Sequence, residues 1–552
     1  MISSKPPEKG KQFDVIIVTG DFYADHPMCG AAVIARVLDH AGYSVGIIEA
    51  PDWRNDSNFT KLGKPRLFFG VTSGAMDSML DNYTPLLKKR AEDKHKKYVS
   101  SKPDRAVLVY TAMIRKNFRG MPVVLGGVEA SLRRFAHFDY WSNSIRRSIL
   151  LDSRADILAY GNAEYQALEI AKRLEKSLPL DGIEGTCVVR NAAPEGFRIM
   201  PPFEEVEKDN EKFCKMQVAL TNESGLAQKS GDKFIIQYKA HRCTTEELDL
   251  VFSLPYSRDI PEKAGYLKGM QFSVVTHRGC IGNCSFCSIA LHQGTRIVSR
   301  SEKSVMREIE TIVKHREFKG YVHDLGGPSA NMYGMDCMSN PTCTGNCISC
   351  GRLDRSHKKL LALMENARAV KGVKKVFVSS GIRYDIASDC PEYVAAISKN
   401  HVSGYLKIAP EHCNAHVLKL MNKYFPGKLE RFVSIFQREN KGGSQCIKYY
   451  VMTAHPGSSE KENADLAGFV RKTGGNSLIQ VFTPTPMSMS TCMYCTGMDP
   501  RTGEKLYVPR SFSEKKRQKT EVMHACFEGA KAGGNSSGFE GLQKLPGSGN
   551  PA

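Results

Sequence analysis

No run of about 18 or more apolar residues occurs in this sequence, which excludes an ordinary membrane-spanning helix. The opening stretch MISSKPPEKGKQFDVIIVTGD lacks the basic-then-apolar layout of a secretory leader. No internal repeat marks a solenoid. Negative charge is short: 58 Asp and Glu stand against 77 Lys and Arg, a formal net charge of +19. The expectation is a cytoplasmic protein without a membrane partner. Basic runs fall at 87–97, 351–359 and 513–519. Solvated helix faces explain such runs as readily as attraction to RNA does, and charge alone does not choose.

What the chain has in quantity is cysteine, 17 in 552 residues. The number is odd and nothing marks secretion, so metal or redox use is expected over a disulfide framework.

The length suggests two to four domains. Strand-like segments FDVIIVTGD (13–21), SVGIIEAP (44–51), RLFFGVTSG (66–74), PVVLGGVEA (122–130) and ADILAYGNAE (155–164) alternate with helical runs at 29–42 and 164–176. This predicts an α/β chain opening with a Rossmann-like, doubly wound domain over 1–200. Residues 201–265 read as a connecting region. Six further βα units follow over 266–510, too few for a closed barrel of eight, and predict a partial (β/α)6 TIM-type barrel with its chemistry at the strand C-terminal ends. Residues 511–552 read as a flexible tail.

Just past the first strand of the second part lies HRGCIGNCSFCSIALHQG. Its Cys280, Cys284 and Cys287 follow the pattern C-x3-C-x2-C, with Gly279 and Gly282 letting the backbone turn tightly around a cluster. Zinc would need a fourth ligand, for which His277 and His292 are near in sequence.

The spacing, with Phe286 before the third cysteine, resembles the signature of radical S-adenosylmethionine (SAM) enzymes. Longer segments, among them GGVEASLRRFAHFDYWSNSIRRSILLDSRADILAYG, DLGGPSANMYG, LKIAPEH and VFTPTPM, resemble the YgiQ family of radical SAM proteins in order across most of the chain. The resemblance implies a 4Fe-4S cluster held by Cys280, Cys284 and Cys287. Its fourth iron is left open for the amino and carboxylate groups of SAM, which one electron then cleaves to a 5′-deoxyadenosyl radical. It implies Phe286 near the adenine, Gly326 and Gly327 carbonyls on the SAM amino group, and Ser380 and Arg383 on its ribose and carboxylate. Pro328 stands where many superfamily members have Glu. A flavodoxin- or ferredoxin-type protein would supply the electron. The resemblance leaves the substrate open, and the net basic charge favours RNA. The competing reading is an iron–sulfur electron-transfer or sensor protein without SAM chemistry, which has no need of the Gly-Gly and SGIR elements. A zinc-organised RNA-binding protein is the third.

A second cluster, Cys337, Cys343, Cys347 and Cys350, lies in the insertion 335–355 and offers four local thiolates for a second iron–sulfur cluster or zinc. Cys492 and Cys495 read as incidental thiols. His26, His412 and His455 flank strand ends, the last two facing the expected cavity. The N-terminal Rossmann-like domain resembles the cobalamin-binding domain of other radical SAM proteins, but in DHPMCG Asp25 and His26 are adjacent, one residue out of register with the D-x-H-x-x-G loop of histidine-ligated cobalamin domains, and the expectation is that this domain binds no cobalamin.

Overall fold

A computed structural model describes residues 1–90, 102–220, 225–337, 343, 347–441, 443 and 445–532. Part of the basic run at 87–97, part of the insertion at 335–355, and residues 533–552 therefore lie outside the described residues.

The strand Val15–Thr19 is buried along its whole length. Its side chains alternate between two cores: Ile16 and Val18 on one face, Val15 and Ile17 on the other. That explains its unbroken apolar run, since a central parallel strand needs apolar residues on both sides. Helices Gly30–His40 and Glu164–Glu175 contribute Leu38 and Ile170 to one core. Helix Ala106–Asn117 contributes Val107, Tyr110 and Ile114 to the other. Across the sheet run Val45–Glu49, Val15–Thr19, Phe68–Thr72, Val123–Leu125 and Ile157–Ala159, all parallel. The expected doubly wound α/β arrangement is present, with strand order reversing at Val15–Thr19.

The sheet does not stop near residue 200. Thr186–Arg190, Lys233–Gln237 and Leu226–Ser230 extend it with antiparallel pairing, so the expected connecting region contributes two strands to this sheet. Ile235 and Ile236 enter opposite cores, and Gly231, at φ +61°, makes the tight turn between the two strands.

In the second part, Ser273–Val275 pairs in parallel with Asp324–Gly326, and Tyr321–Val322 with Lys375–Val376. Ile382 bridges Ile408 in parallel, and Tyr405–Glu411, Cys446–Thr453 and Ser477–Val481 form a parallel sheet. Six strand segments thus follow one another in chain order, their C-terminal ends on one side. Leu406, Ile408 and Ile447 pack beneath Phe432 and Phe436 of helix Lys428–Glu439.

The expected flexible tail contains instead the helix Phe512–Ala532. Its Val522, Ala525 and Cys526 pack on Leu466 and Val470 of helix Glu460–Arg471. The i, i+3, i+4 spacing of those residues is a helical stripe hidden among lysines. The two parts also share a core, in which Phe213, Met216 and Cys214 meet Phe482, Met487 and Cys492. No helix among the described residues is long and apolar enough to cross a membrane.

Candidate functional site

Five of the loops singled out in the sequence meet at the C-terminal ends of the second set of strands. The cysteine loop leaves Val275 and is bound into place from three sides. Ser285 O accepts from Ser490 N at 2.8 Å, Ser285 N donates to Met421 O at 3.0 Å, and Cys280 N donates to Gly294 O at 3.1 Å. A Cβ on Gly282 would collide with Arg383 Nη1 and lie 3.3 Å from Cys280 Sγ, so the arginine and a thiol fill the space that glycine leaves. Gly279, at φ +84°, presses against the backbone of Arg296.

Burial first, and then the neighbouring Cys284, push the thiols of Cys280 and Cys287 up, Cys287 to about 12. Buried thiols gathered on one loop need a cation to hold them as thiolates, and a cluster iron is such a cation. Arg383 Nη1 lies 3.5 Å from Cys284 Sγ and supplies part of that charge.

Arg383 is almost wholly buried. Its Nε and Nη2 each donate to an Asp385 carboxylate oxygen at 2.8 Å. Its backbone is held by Asn331, which accepts from Arg383 N at 2.7 Å and donates to Arg383 O at 3.1 Å. The two-pronged edge expected to grip a SAM carboxylate is therefore already on Asp385, and only Nη1 faces the loop. Asp385 and Asn331 were missed in the sequence.

Gly326 O accepts from Thr276 N at 2.7 Å, so of the Gly-Gly pair that carbonyl is committed to the protein. Gly327 packs so closely on the His277 imidazole that a Cβ there would sit 2.6 Å from it. Ser380 Oγ donates to Asp324, which also accepts from Ser379 N at 2.8 Å and Ser380 N at 3.1 Å. Asp324 lies two residues before Gly326 in HDLGG, and that position was the available signal for it.

Phe286 meets His455 edge-on, with centroids 6.4 Å apart. Both His455 nitrogens are engaged: Nδ1 donates to Pro456 O at 2.7 Å and Nε2 accepts from Ser490 Oγ at 2.7 Å. Burial pushes its pKa down to about 3, so it is a fixed neutral prop. His412 Nδ1 accepts from Asn414 N at 3.0 Å, while its buried Nε2 has no partner among the described residues. Beside it in APEH, Glu411 takes a left-handed φ of +66°, uncommon for glutamate and typical of functional turns. Burial raises the Glu411 carboxyl, and Lys423, 3.8 Å away, only partly offsets this.

The second cysteine set lies alongside the first. Cys347 and Cys280 pack against one apolar group that includes Ile281, Ile297 and Met332. Burial raises the Cys347 thiol, and the charges of Cys337, Cys343 and Cys350 raise it further, so all four are within electrostatic reach. Among the described residues no three Cys, His, Asp or Glu side chains are drawn in tightly enough to hold a metal ion between them.

At the other end of the join, His292 Nδ1 lies 3.0 Å from Ser131 Oγ, which brings the cysteine loop against GGVEAS of the N-terminal sheet. His26 is not free. Its Nδ1 accepts from Met28 N at 3.1 Å and its Nε2 donates to Gln271 O at 2.9 Å.

A cysteine loop at the head of parallel strands, joined to a doubly wound sheet, defines a radical SAM protein. The radical SAM N-terminal family matches residues 6–271 and the radical SAM superfamily matches residues 274–470. The chain belongs to the UPF0313 family, the YgiQ family of radical SAM proteins. The UPF0313 protein of Methanocaldococcus jannaschii is 42% identical over 96% of this chain and 93% of its own. That of Geobacter sulfurreducens is 43% identical over 93% of this chain and 89% of its own. Among solved structures, the radical SAM methyltransferase TsrM from Kitasatospora setae, with cobalamin and a [4Fe-4S] cluster bound, matches at 16% identity. It covers 92% of this chain and 85% of its own, with a TM-score of 0.52. The expectation that this chain binds no cobalamin is thereby overturned, since a chain of the same fold holds cobalamin.

Proposed function

We propose that this chain is a radical SAM enzyme that binds a 4Fe-4S cluster through Cys280, Cys284 and Cys287 at the mouth of a partial (β/α)6 barrel. The observation that carries the reading is Arg383 Nη1 beside Cys284, on the same strand ends as Gly327 and Ser380. An electron carrier has no use for that assembly. When bound, the reduced cluster supplies the electron that splits a carbon–sulfur bond of SAM. The chain's part is to hold and shield. Gly327, packed on His277, closes the floor beside the methionine end, Asp324 holds Ser380 at the ribose side, and Phe286, braced by His455, walls the adenine side. A flavodoxin- or ferredoxin-type donor delivers the electron.

Cobalamin is a second ligand we assign to the N-terminal sheet, and the presence of cobalamin in the TsrM structure supports it. His26 would not hold it, because both ring nitrogens are engaged. Protein purified anaerobically and reconstituted with iron and sulfide is expected to release 5′-deoxyadenosine and methionine from SAM under a strong reductant. No release by the wild type at full iron loading would sink the reading. Hydroxocobalamin retained after desalting, seen by its visible spectrum, tests the second ligand.

A further inference from the structure

The second sheet is covered by helices on one face only. Register puts Lys407 opposite Lys448, and Tyr450 opposite Leu478, all on the face away from the Phe432 core. Tyr321 pairs with Lys375 on the neighbouring strands. Tyr405 is 58% exposed and Tyr321 43% exposed, although both begin core strands. The Tyr321 and Phe377 rings are stacked at 18° with centroids 6.2 Å apart. Lys448 Nζ lies 5.4 Å from the centre of the Tyr405 ring.

The face thus carries exposed rings and ammonium groups with no ion pair among the described residues. Burial pushes Lys448 below its ordinary range with no carboxylate to offset it. Asp324 is the acidic group whose charge Lys407 meets, and it is already engaged with Ser379 and Ser380. The strip ends at those same residues. From Tyr405 to Glu411 a strand rises about 20 Å. Flat rings interleaved with unpaired lysines suit bases that stack and phosphates that shed counterions. The Tyr450 phenol and Gln480 amide, which have no protein partner among the described residues, add hydrogen-bonding groups for a ribose 2′-hydroxyl.

We propose that this open face binds single-stranded RNA and leads it to the cysteine end of the strands. The proposal rests on the enzyme reading above, since it names the substrate class of that site. The test is fluorescence anisotropy of the full-length, cluster-loaded protein with a short labelled single-stranded RNA, without reductant. The expected result is binding that weakens with salt. In the Lys407→Gln/Lys448→Gln variant the log–log salt slope should shrink by about 1.4, two phosphate contacts of about 0.7 each. Tyr405→Ala should weaken binding about tenfold at constant slope. Unchanged cluster absorbance and melting temperature establish that the variants are folded. Wild-type affinity in both variants overturns the proposal. So does equal affinity for DNA of the same sequence or for polyphosphate, and so does failure of the full-length protein to bind. SAM cleavage is assayed separately, so RNA binding without cleavage would sink the enzyme reading and leave this one standing.

Discussion

Arg383 and Asp385 form a buried, two-pronged ion pair within reach of Cys284. Burial alone would raise the Asp385 carboxyl, but the Arg383 charge and its hydrogen bonds outweigh it and hold the group below 3.8. Removing the acid leaves a guanidinium without a partner in the interior. Asp385→Ala is therefore expected to cost about 3–5 kcal/mol in chemical denaturation. A carboxylate with a lowered folded pKa stabilises above its unfolded value of 3.8 and loses that contribution as pH falls through the folded value. The gap between wild type and Asp385→Asn should hold from neutral pH to about 5 and close below about 4. A gap that stays open in acid would show that the pair is not electrostatic.

The two cysteine sets are separable by metal content. Replacing Cys280, Cys284 and Cys287 together by Ala should remove one cluster's iron and all SAM cleavage. Metal on Cys337, Cys343, Cys347 and Cys350 should persist. Elemental analysis then tells iron from zinc at the second site. Full iron retention in the triple variant would defeat the first assignment.

Both halves of the fold were legible because buried parallel strands spell unbroken apolar runs, as in VIIVT, and the turns after them carry glycine. The cysteine loop was legible because its ligands are local. Asp385 escaped notice although it is two residues from Arg383, because only the folded helix turn faces it back onto the guanidinium. Asp324 and Lys423 act on Ser380 and Glu411 from other parts of the sequence, and spacing does not encode such partners. The helix Phe512–Ala532 was misread as tail because its apolar stripe is thin and its mean character is set by lysines. Leu226–Gln237 was missed because Gln228 and Lys229 interrupt the alternation that a strand is read by.

Cys492 read as an incidental thiol, yet its Sγ donates to Cys214 Sγ at 3.9 Å across the join of the two parts. That hydrogen bond, against the effect of burial, brings the Cys214 thiol down to about 7, while burial raises Cys492. Thiolate at Cys214 is the attacking form. Treatment with diamide, which accepts the two electrons and two protons, should yield a Cys214–Cys492 disulfide in peptide mapping. Its rate should rise through about pH 7, and Cys214→Ser should abolish it. Recovery of both as free thiols after oxidation would show the join too rigid to close.

Lys515 is fully buried, with Nζ donating to Tyr140 Oη at 3.0 Å and Tyr494 Oη at 2.9 Å. The ammonium also lies over both rings, 4.8 and 4.5 Å from their centres, but no carboxylate meets it among the described residues. Burial, with Arg510 adding to it, pulls its pKa down to about 8 from 10.5. Between those values the unfolded chain binds the proton and the folded chain does not, so stability rises with pH. Below about 8 both states are charged and the folded state carries the whole cost, about 3 kcal/mol. Lys515→Met removes the charge from a site already lined by aromatic rings. The wild type should therefore gain about 2.5 kcal/mol more than this variant between pH 7 and pH 10, measured by urea unfolding at each pH. Parallel pH curves for the two proteins would mean that the tyrosines and ring faces repay the ammonium's desolvation in full.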